Sequence, residues 1–127
     1  MVLLFIAGGG ALGALARYGV GGWVQSHAGF AFPWGTFAVN LAGSLLIGFA
    51  VRFLEGVAVT PEVRALVTVG FLGAFTTFST YSYEALTLLR DGDWRRAAFY
   101  SLGSVLLGVV AVGVGMAGGE LLLRARG

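Results

Sequence analysis

Cysteine and lysine are absent from this chain of 127 residues, and the only histidine is His27. Without cysteine the chain cannot form disulfides, thiolate metal sites or a thiol nucleophile. A single histidine leaves a zinc centre short of its usual ligands. Charged residues make up only 11% of the sequence, against about 25% in soluble globular domains. This scarcity of charge argues against a soluble globular domain.

Hydrophobic residues are abundant instead, at 57% of the chain, and the mean hydropathy is +0.88. The 22 glycines follow no G-X-Y period, which excludes collagen. These numbers predict an all-α membrane protein with a single domain over residues 1–127. The 8 basic residues are all arginines scattered along the chain. They form no basic stripe, so no nucleic-acid partner is expected.

Catalytic signatures are also missing. The chain has no Ser/His/Asp set and no pair of carboxylates at a usable spacing. The run Gly8-Gly9-Gly10 opens no βαβ unit, so it does not predict a phosphate-binding loop. We therefore expect a protein that is not an enzyme.

Long uncharged runs predict four transmembrane helices, because one span needs about 20 mostly apolar residues. We place them near residues 2–24, 34–54, 63–89 and 95–121. The linkers agree with this division. Pro33 marks a turn, Thr60 before Pro61 forms a helix start, and Asp93 is positioned to cap the fourth helix.

The arginines give no clear orientation in the membrane. Four helices place both termini on one side, where four arginines lie: Arg52, Arg64, Arg124 and Arg126. The opposite side has Arg90, Arg95, Arg96 and, depending on its depth, Arg17. Two interpretations stay open. The chain inserts in both orientations and pairs antiparallel with a second copy, or one arginine near a helix end dominates.

Small residues four positions apart occur in three of the helices, at Gly9 and Gly13, Ser44 and Gly48, and Gly115 and Gly119. This spacing lets helix backbones approach closely. Such pairs are common in ordinary bundle packing. Four helices nevertheless make a thin bundle with little room for an internal pore. The abundance of small residues therefore also favours an oligomer.

Asn40 lies in the second helix on one face with Thr36, Gly43 and Ser44. A polar side chain within the bilayer needs partners and often marks a transport pathway. Its amide has two N–H donors. Two roles remain open, as a donor to a transported ligand and as a structural clasp between helices.

The third helix contains a dense cluster of hydroxyls, in seven of the eight residues from Thr76 to Tyr83. Following Gly70 and Gly73, these residues predict a break in the helix. A break at that depth is tolerated where protein or water surrounds it, and its free carbonyls can bind a cation. The alternative is a continuous helix whose hydroxyls bond back to carbonyls one turn earlier.

Aromatic rings and a few charges complete the candidate pathway. Phe78 and Tyr81 are placed to face one cleft, and ring edges are electropositive enough to meet an anion. Such a stripe also occurs in simple packing. Arg17 and Glu84 are the charges nearest the membrane interior, and Arg17 either snorkels or attracts anions into a vestibule. Tyr100 and Ser104 add polar groups one turn apart in the fourth helix.

Three segments together resemble the Fluc (CrcB-type) fluoride channel family. They are residues 9–18 (GGALGALARY), 35–43 (GTFAVNLAG) and 70–80 (GFLGAFTTFST). The resemblance covers almost the whole chain, with the motifs in the right order and spacing. It implies a four-helix subunit that forms an antiparallel, dual-topology homodimer in the bacterial inner membrane. It also implies passive, selective fluoride export through two pores, with fluoride, lipids and a second copy as partners.

The resemblance further implies roles for individual residues. Asn40 would donate to fluoride, with Phe78 in the family's phenylalanine pair and Ser79 and Thr80 along a polar track. Carbonyls of Gly73 and Thr76 would hold a central structural Na⁺ at the dimer interface. Further positions follow near the pathway: Arg17 beside a vestibule, and Glu84, Tyr100 and Ser104 as polar neighbours.

One departure from the family pattern concerns Tyr81, where the family usually has a second phenylalanine. The ring is kept and a hydroxyl is added. This change either leaves the ring edge in place or alters rate and selectivity. We expect conduction to survive.

Two other functions remain as alternatives. A small multidrug-resistance-type exporter would also be a short four-helix antiparallel dimer, but its proton coupling needs a carboxylate that the first helix lacks. A noncatalytic membrane scaffold would use the glycine faces for docking, but it would leave Asn40 and the hydroxyl cluster without a purpose.

Overall fold

The computed structural model describes all 127 residues and contains helices and no strands. The elements in chain order are α1 (Val2–Ala28), α2 (Trp34–Glu55), α3 (Pro61–Ala65), a π-helical segment (Leu66–Phe71), α4 (Leu72–Phe75), α5 (Phe78–Arg90) and α6 (Trp94–Arg126). Between α4 and α5, Thr76 and Thr77 adopt extended conformations, which interrupts the helix at that point.

Four stretches are long and apolar enough to cross a membrane, with mean hydropathies of 1.3 to 2.0. They are α1, α2, the combined stretch Pro61–Arg90, and α6. The predicted all-helical architecture with four membrane-spanning helices is confirmed. The chain is a multi-pass membrane protein.

Two helices extend beyond their expected ends. Helix α1 continues to Ala28 and stops at Gly29, whose φ of 93° is a conformation that favours glycine. Helix α6 continues to Arg126. Its last turns contain the charged residues Glu120, Arg124 and Arg126, and Arg124 donates to Glu120 one turn earlier at 2.9 Å. Hydropathy does not detect such turns, because they lie outside the apolar core of the membrane.

Side-chain caps fix three of the helix starts. Thr60 accepts a hydrogen bond from the amide of Val63 at 3.3 Å, and Thr77 accepts one from Thr80 at 3.2 Å. Asp93 accepts from the amide of Arg96 at 3.2 Å and from its guanidinium at 2.7 Å. These bonds to Arg96 lower the pKa of the Asp93 carboxyl below its usual value.

Glycines bring helix backbones into direct contact along two seams. Between α2 and α6, a Cβ at Gly48 would overlap the carbonyl oxygen of Val112, and one at Gly115 would overlap that of Leu45. Between α1 and the π-helical segment, a Cβ at Gly13 would overlap the carbonyl oxygen of Phe71. The seams therefore hold the bundle together by close backbone packing.

The buried core is small, since only 17 of 127 residues are buried. Its main cluster is formed by five residues, Phe32, Phe37, Leu88, Ala97 and Tyr100. This cluster joins the start of α2 to α5 and α6. Many large apolar side chains remain exposed on the single chain. In a membrane protein such faces meet lipid or another subunit.

Candidate functional site: a polar groove at the helix break

A groove of about 370 Å³ lies beside the break, between α2, α4, α5 and α6. Six of the predicted site residues line it, namely Asn40, Gly73, Thr76, Phe78, Tyr81 and Ser104. The polar side chains of Ser44, Thr68 and Thr77 add to the wall. None of the lining residues is charged. The groove therefore offers neutral donors and aromatic rings within a membrane-spanning region.

Asn40 clasps the backbone at the break. Its Nδ2 donates to the carbonyl of Thr77 at 3.0 Å, and its Oδ1 accepts from the amide of Thr77 at 2.8 Å. The structural role considered for Asn40 is thus present in the fold. Because an amide has two N–H donors and one is engaged, the other remains available to a ligand.

The carbonyls of Gly73 and Thr76 are among those that lose, at the break, the bonds that a continuous helix would give them. The Thr77 amide bonds Asn40 instead of the carbonyl of Gly73. The Thr80 amide likewise bonds the Thr77 hydroxyl instead of the carbonyl of Thr76. No other backbone amide donates to either oxygen. Free carbonyls at this depth need another partner.

Arg17 supports the same break from α1. Its Nε donates to the carbonyl of Ala74 at 3.0 Å, across 57 positions of sequence. Its side chain also lines a second cavity of about 750 Å³, together with Thr36, Thr77 and Thr80. Arg17 thus both stabilises a carbonyl freed by the break and places a positive charge at a wide opening.

Phe78 and Tyr81 lie side by side, with ring centroids 5.8 Å apart. Phe78 is 80% exposed in the single chain, although it borders the groove. The Tyr81 hydroxyl donates to the backbone carbonyl of Ser101 in α6 at 2.7 Å. The extra hydroxyl of this chain therefore has a partner on the neighbouring helix, which fixes the ring relative to α6.

Two buried hydroxyls have no hydrogen-bond partner, those of Tyr100 and Ser104. Tyr100 is fully buried, and its hydroxyl lies close to Glu84 and Thr36 without hydrogen-bonding geometry to either. The Thr36 hydroxyl donates to the Glu84 carboxylate at 2.6 Å. Buried polar atoms without partners are rare in native folds, and since Ser104 lines the groove, its hydroxyl marks a place there for a ligand or a water.

The predicted residues do not all share one cavity. Thr80 and Arg17 line the wider cavity, whereas Glu84 and Tyr100 lie in the packing between α2, α5 and α6. Ser79 lines neither of these two cavities and is exposed. Its hydroxyl lies 3.5 Å from that of Thr77.

Several polar residues that line the two cavities were not predicted as site residues from the sequence, among them Thr36, Ser44, Thr68 and Thr77. Thr36 shares a helix face with Asn40, and that spacing was a usable signal for it. Thr77 lines both cavities and holds the clasp through its backbone. Any residue type can make such a backbone contact, so the sequence does not reveal it. The hydroxyl cluster indicated only the region.

Comparison with known proteins gives a consistent result. The family model described as "CrcB-like protein, Camphor Resistance (CrcB)" matches residues 4–116. Three relatives carry the name "Fluoride-specific ion channel FluC". A protein of Thermus thermophilus is 50% identical over 113 residues, which cover 88% of each chain.

The second relative, from Hahella chejuensis, is 49% identical over 122 residues, or 95% of this chain and 96% of its own. The third, from Acidobacterium capsulatum, is 44% identical over 124 residues, or 97% of this chain and 99% of its own. The family match spans most of the chain, and the relatives cover nearly all of it. The resemblance found in the three sequence motifs is confirmed: the chain belongs to the CrcB family.

Proposed function

We propose that this chain is a fluoride-selective passive ion channel that releases fluoride from the cytoplasm through the groove at the helix break. The observation that carries the proposal is the lining of that groove, which combines neutral donors and aromatic rings with no charged side chain. The relatives named as fluoride-specific ion channels support the choice of ion. The chain is a channel and not an enzyme.

The groove suits fluoride for a physical reason. Fluoride is small and strongly hydrated, so a narrow pore must replace its water shell with many donors and still let it leave. The free N–H of Asn40 and the hydroxyls of Ser44 and Ser104 supply donors. The ring edges of Phe78 and Tyr81 add weak positive potential that does not trap the ion. A narrow passage also disfavours the larger chloride.

The other predicted site residues have the following roles in this proposal. Arg17 draws anions into the wide cavity, and Thr80 lines its inner wall. Ser79 extends the hydroxyl track from Thr77. Ser104 lines the groove, where its unpartnered hydroxyl contacts the passing ion or its water, and Glu84 and Tyr100 are polar neighbours packed behind the route.

The functional unit in this proposal is an antiparallel homodimer with two pores. Phe78 borders the groove but is 80% exposed, so a second copy is needed to close that side. Long apolar faces elsewhere on the chain are equally uncovered. The balanced distribution of arginines between the two ends permits insertion in both orientations. We place the dimer in the bacterial inner membrane.

A structural Na⁺ fits the break. Hard cations prefer oxygen ligands, and the carbonyls of Gly73 and Thr76 accept no backbone hydrogen bond. Two antiparallel copies would together present four such oxygens. The bound ion would supply fixed positive charge that offsets the repulsion between anions, and it would tie the two breaks together.

Fluoride efflux from liposomes containing the purified protein tests the proposal. Vesicles loaded with potassium fluoride and a potassium ionophore are expected to release fluoride rapidly, whereas chloride-loaded vesicles are not. Phe78→Ile is expected to abolish release because it removes the ring edge from the groove. Phe30→Ile is the matched control, since Phe30 is 82% exposed in a loop. No fluoride release from a folded, dimeric sample would overturn the proposal.

A further inference from the structure

A separate cavity of about 350 Å³ lies at the end of the molecule where α1 ends and α2 and α6 begin. It shares no residue with the groove or with the wide cavity. Six residues line it: Ala31, Phe32, Trp34, Arg95, Arg96 and Phe99. Nothing in the proposed channel function uses this place.

The polar groups of this cavity are hydrogen-bond donors. Arg95 makes no hydrogen bond or ion pair within the chain, although Asp91 and Asp93 lie in the adjacent turn. Arg96 engages Asp93 through Nη1 and keeps its other N–H groups free. Trp34, which is 37% exposed, adds an indole N–H donor to the lining. No carboxylate lines the cavity, so its chemistry favours an anion.

The remaining walls are apolar and aromatic. The ring of Phe32 lies 4.5 Å from that of Trp34 and 5.5 Å from that of Phe99, measured between centroids. Below Phe99, the exposed residues Leu102 and Leu106 continue the same face of α6. A small inorganic anion would leave these surfaces uncovered, whereas a ligand with an acyl chain would cover them.

The position of the cavity along the membrane normal indicates which kind of anionic ligand it binds. It lies where membrane-spanning helices end, which is the level of the lipid headgroups. Arginine and tryptophan are the residues that meet phosphate and glycerol at that level. We propose that this cavity binds an anionic phospholipid, with its phosphate against Arg95 and one acyl chain along Phe99 and α6.

Native mass spectrometry of the purified protein, titrated with phosphatidylglycerol or phosphatidylcholine, tests the site. The protein is expected to bind phosphatidylglycerol more tightly than phosphatidylcholine. Arg95→Gln should weaken phosphatidylglycerol binding about fivefold, the factor expected for one arginine at an anionic surface. Arg90→Gln is the matched control, because Arg90 is exposed at the same end but outside the cavity. It should change the affinity less than about twofold.

A second variant covers the case in which Arg95→Gln does not fold. Trp34→Phe keeps a ring next to Phe32 and removes only the indole donor, so it should weaken phosphatidylglycerol binding in the same direction. Excess inorganic phosphate should not displace the lipid. Displacement by phosphate would assign the cavity to a free anion. Equal losses in the Arg95 and Arg90 variants, or equal binding of both lipids, would also overturn the proposal.

Discussion

The seam between α2 and α6 and the groove at the helix break both use small residues, but with opposite results. At Gly48 and Gly115, a backbone carbonyl of the facing helix occupies the space that a Cβ would need, so the two helices are in direct contact. At the groove, a Cβ on Gly73 would meet only the carbonyl oxygen of Thr68, at 3.8 Å, and about 370 Å³ stays open. The comparison separates glycine that binds helices together from glycine that leaves room for an ion.

The groove also differs in how its polar groups are satisfied. Along the seams, backbone groups are bonded within regular helices. At Thr77, one distant side chain, Asn40, takes over the bonds of the interrupted backbone. The break is therefore stable without a ligand at Thr77, while the carbonyls of Gly73 and Thr76 remain free. The proposed ligand binding and the stability of the break therefore rest on different atoms of the same short stretch.

The largest effect is expected from Asn40→Asp. Aspartate keeps an acceptor for the Thr77 amide but places a carboxylate in a groove without charge. A negative charge about 4 Å from an anion raises its energy by roughly 4 kcal/mol at an effective dielectric constant of 20. Fluoride flux in liposomes should therefore fall about a hundredfold or more.

Thr60→Ala provides the control for this variant. Thr60 caps α3 by accepting from the amide of Val63, and it lines neither the groove nor the wide cavity. Removal of this cap should cost about 1 kcal/mol, and conduction should persist. Wild-type flux in Asn40→Asp would show that fluoride does not pass this amide.

Gly115→Ala is expected to have the next largest effect, on stability. The added Cβ overlaps the carbonyl oxygen of Leu45, so α2 and α6 must separate. Overpacking of this kind costs roughly 1–3 kcal/mol. Gly113→Ala, two residues earlier on the same helix, meets no atom within 4 Å and should leave stability unchanged or slightly improved. Thermal unfolding in detergent compares the two, and equal midpoints would refute the close seam.

The four spans could be predicted from the sequence because long apolar runs are a local signal. The end of α6 could not, since the charges of Glu120, Arg124 and Arg126 interrupt the apolar run, although Arg124 and Glu120 bond within the helix. The π-helical segment at 66–71 also gave no signal. It packs against Gly9 and Gly13 of α1, so tertiary contact determines it.

For the site, too, features that depend on local sequence could be predicted, whereas contacts between distant residues could not. The hydroxyl cluster and the face shared by Asn40 and Thr36 indicated the region, because residue type and spacing carry that information. The pairing of Asn40 with Thr77 joins positions 37 apart. The bond from Tyr81 to Ser101 reaches a backbone carbonyl. Neither contact is readable from local sequence, since each depends on how the helices pack.

Tyr81→Phe should have a smaller effect, and it tests whether the hydroxyl serves packing or conduction. The variant loses the bond to the carbonyl of Ser101, which is worth about 1 kcal/mol of stability. Because that hydroxyl is engaged by α6, fluoride flux should stay within about threefold, a change of under 1 kcal/mol in barrier height. Tyr83→Phe, at a position 72% exposed, is the control. A large gain in flux would mean that the hydroxyl obstructs the route.

The smallest effect is expected outside both regions, at Asp93. Its bonds to Arg96 lower the pKa of the carboxyl below the usual value near 3.8. The carboxylate therefore stabilises the folded state fully above that value, and the contribution is lost as pH falls through the lower folded pKa. Asp93→Asn keeps a capping oxygen but removes the charge that Arg96 contacts. Unfolding temperatures of the two proteins should differ slightly at pH 7, and the difference should shrink as the pH falls below the usual value near 3.8. A constant difference would show that Asp93 acts without its charge.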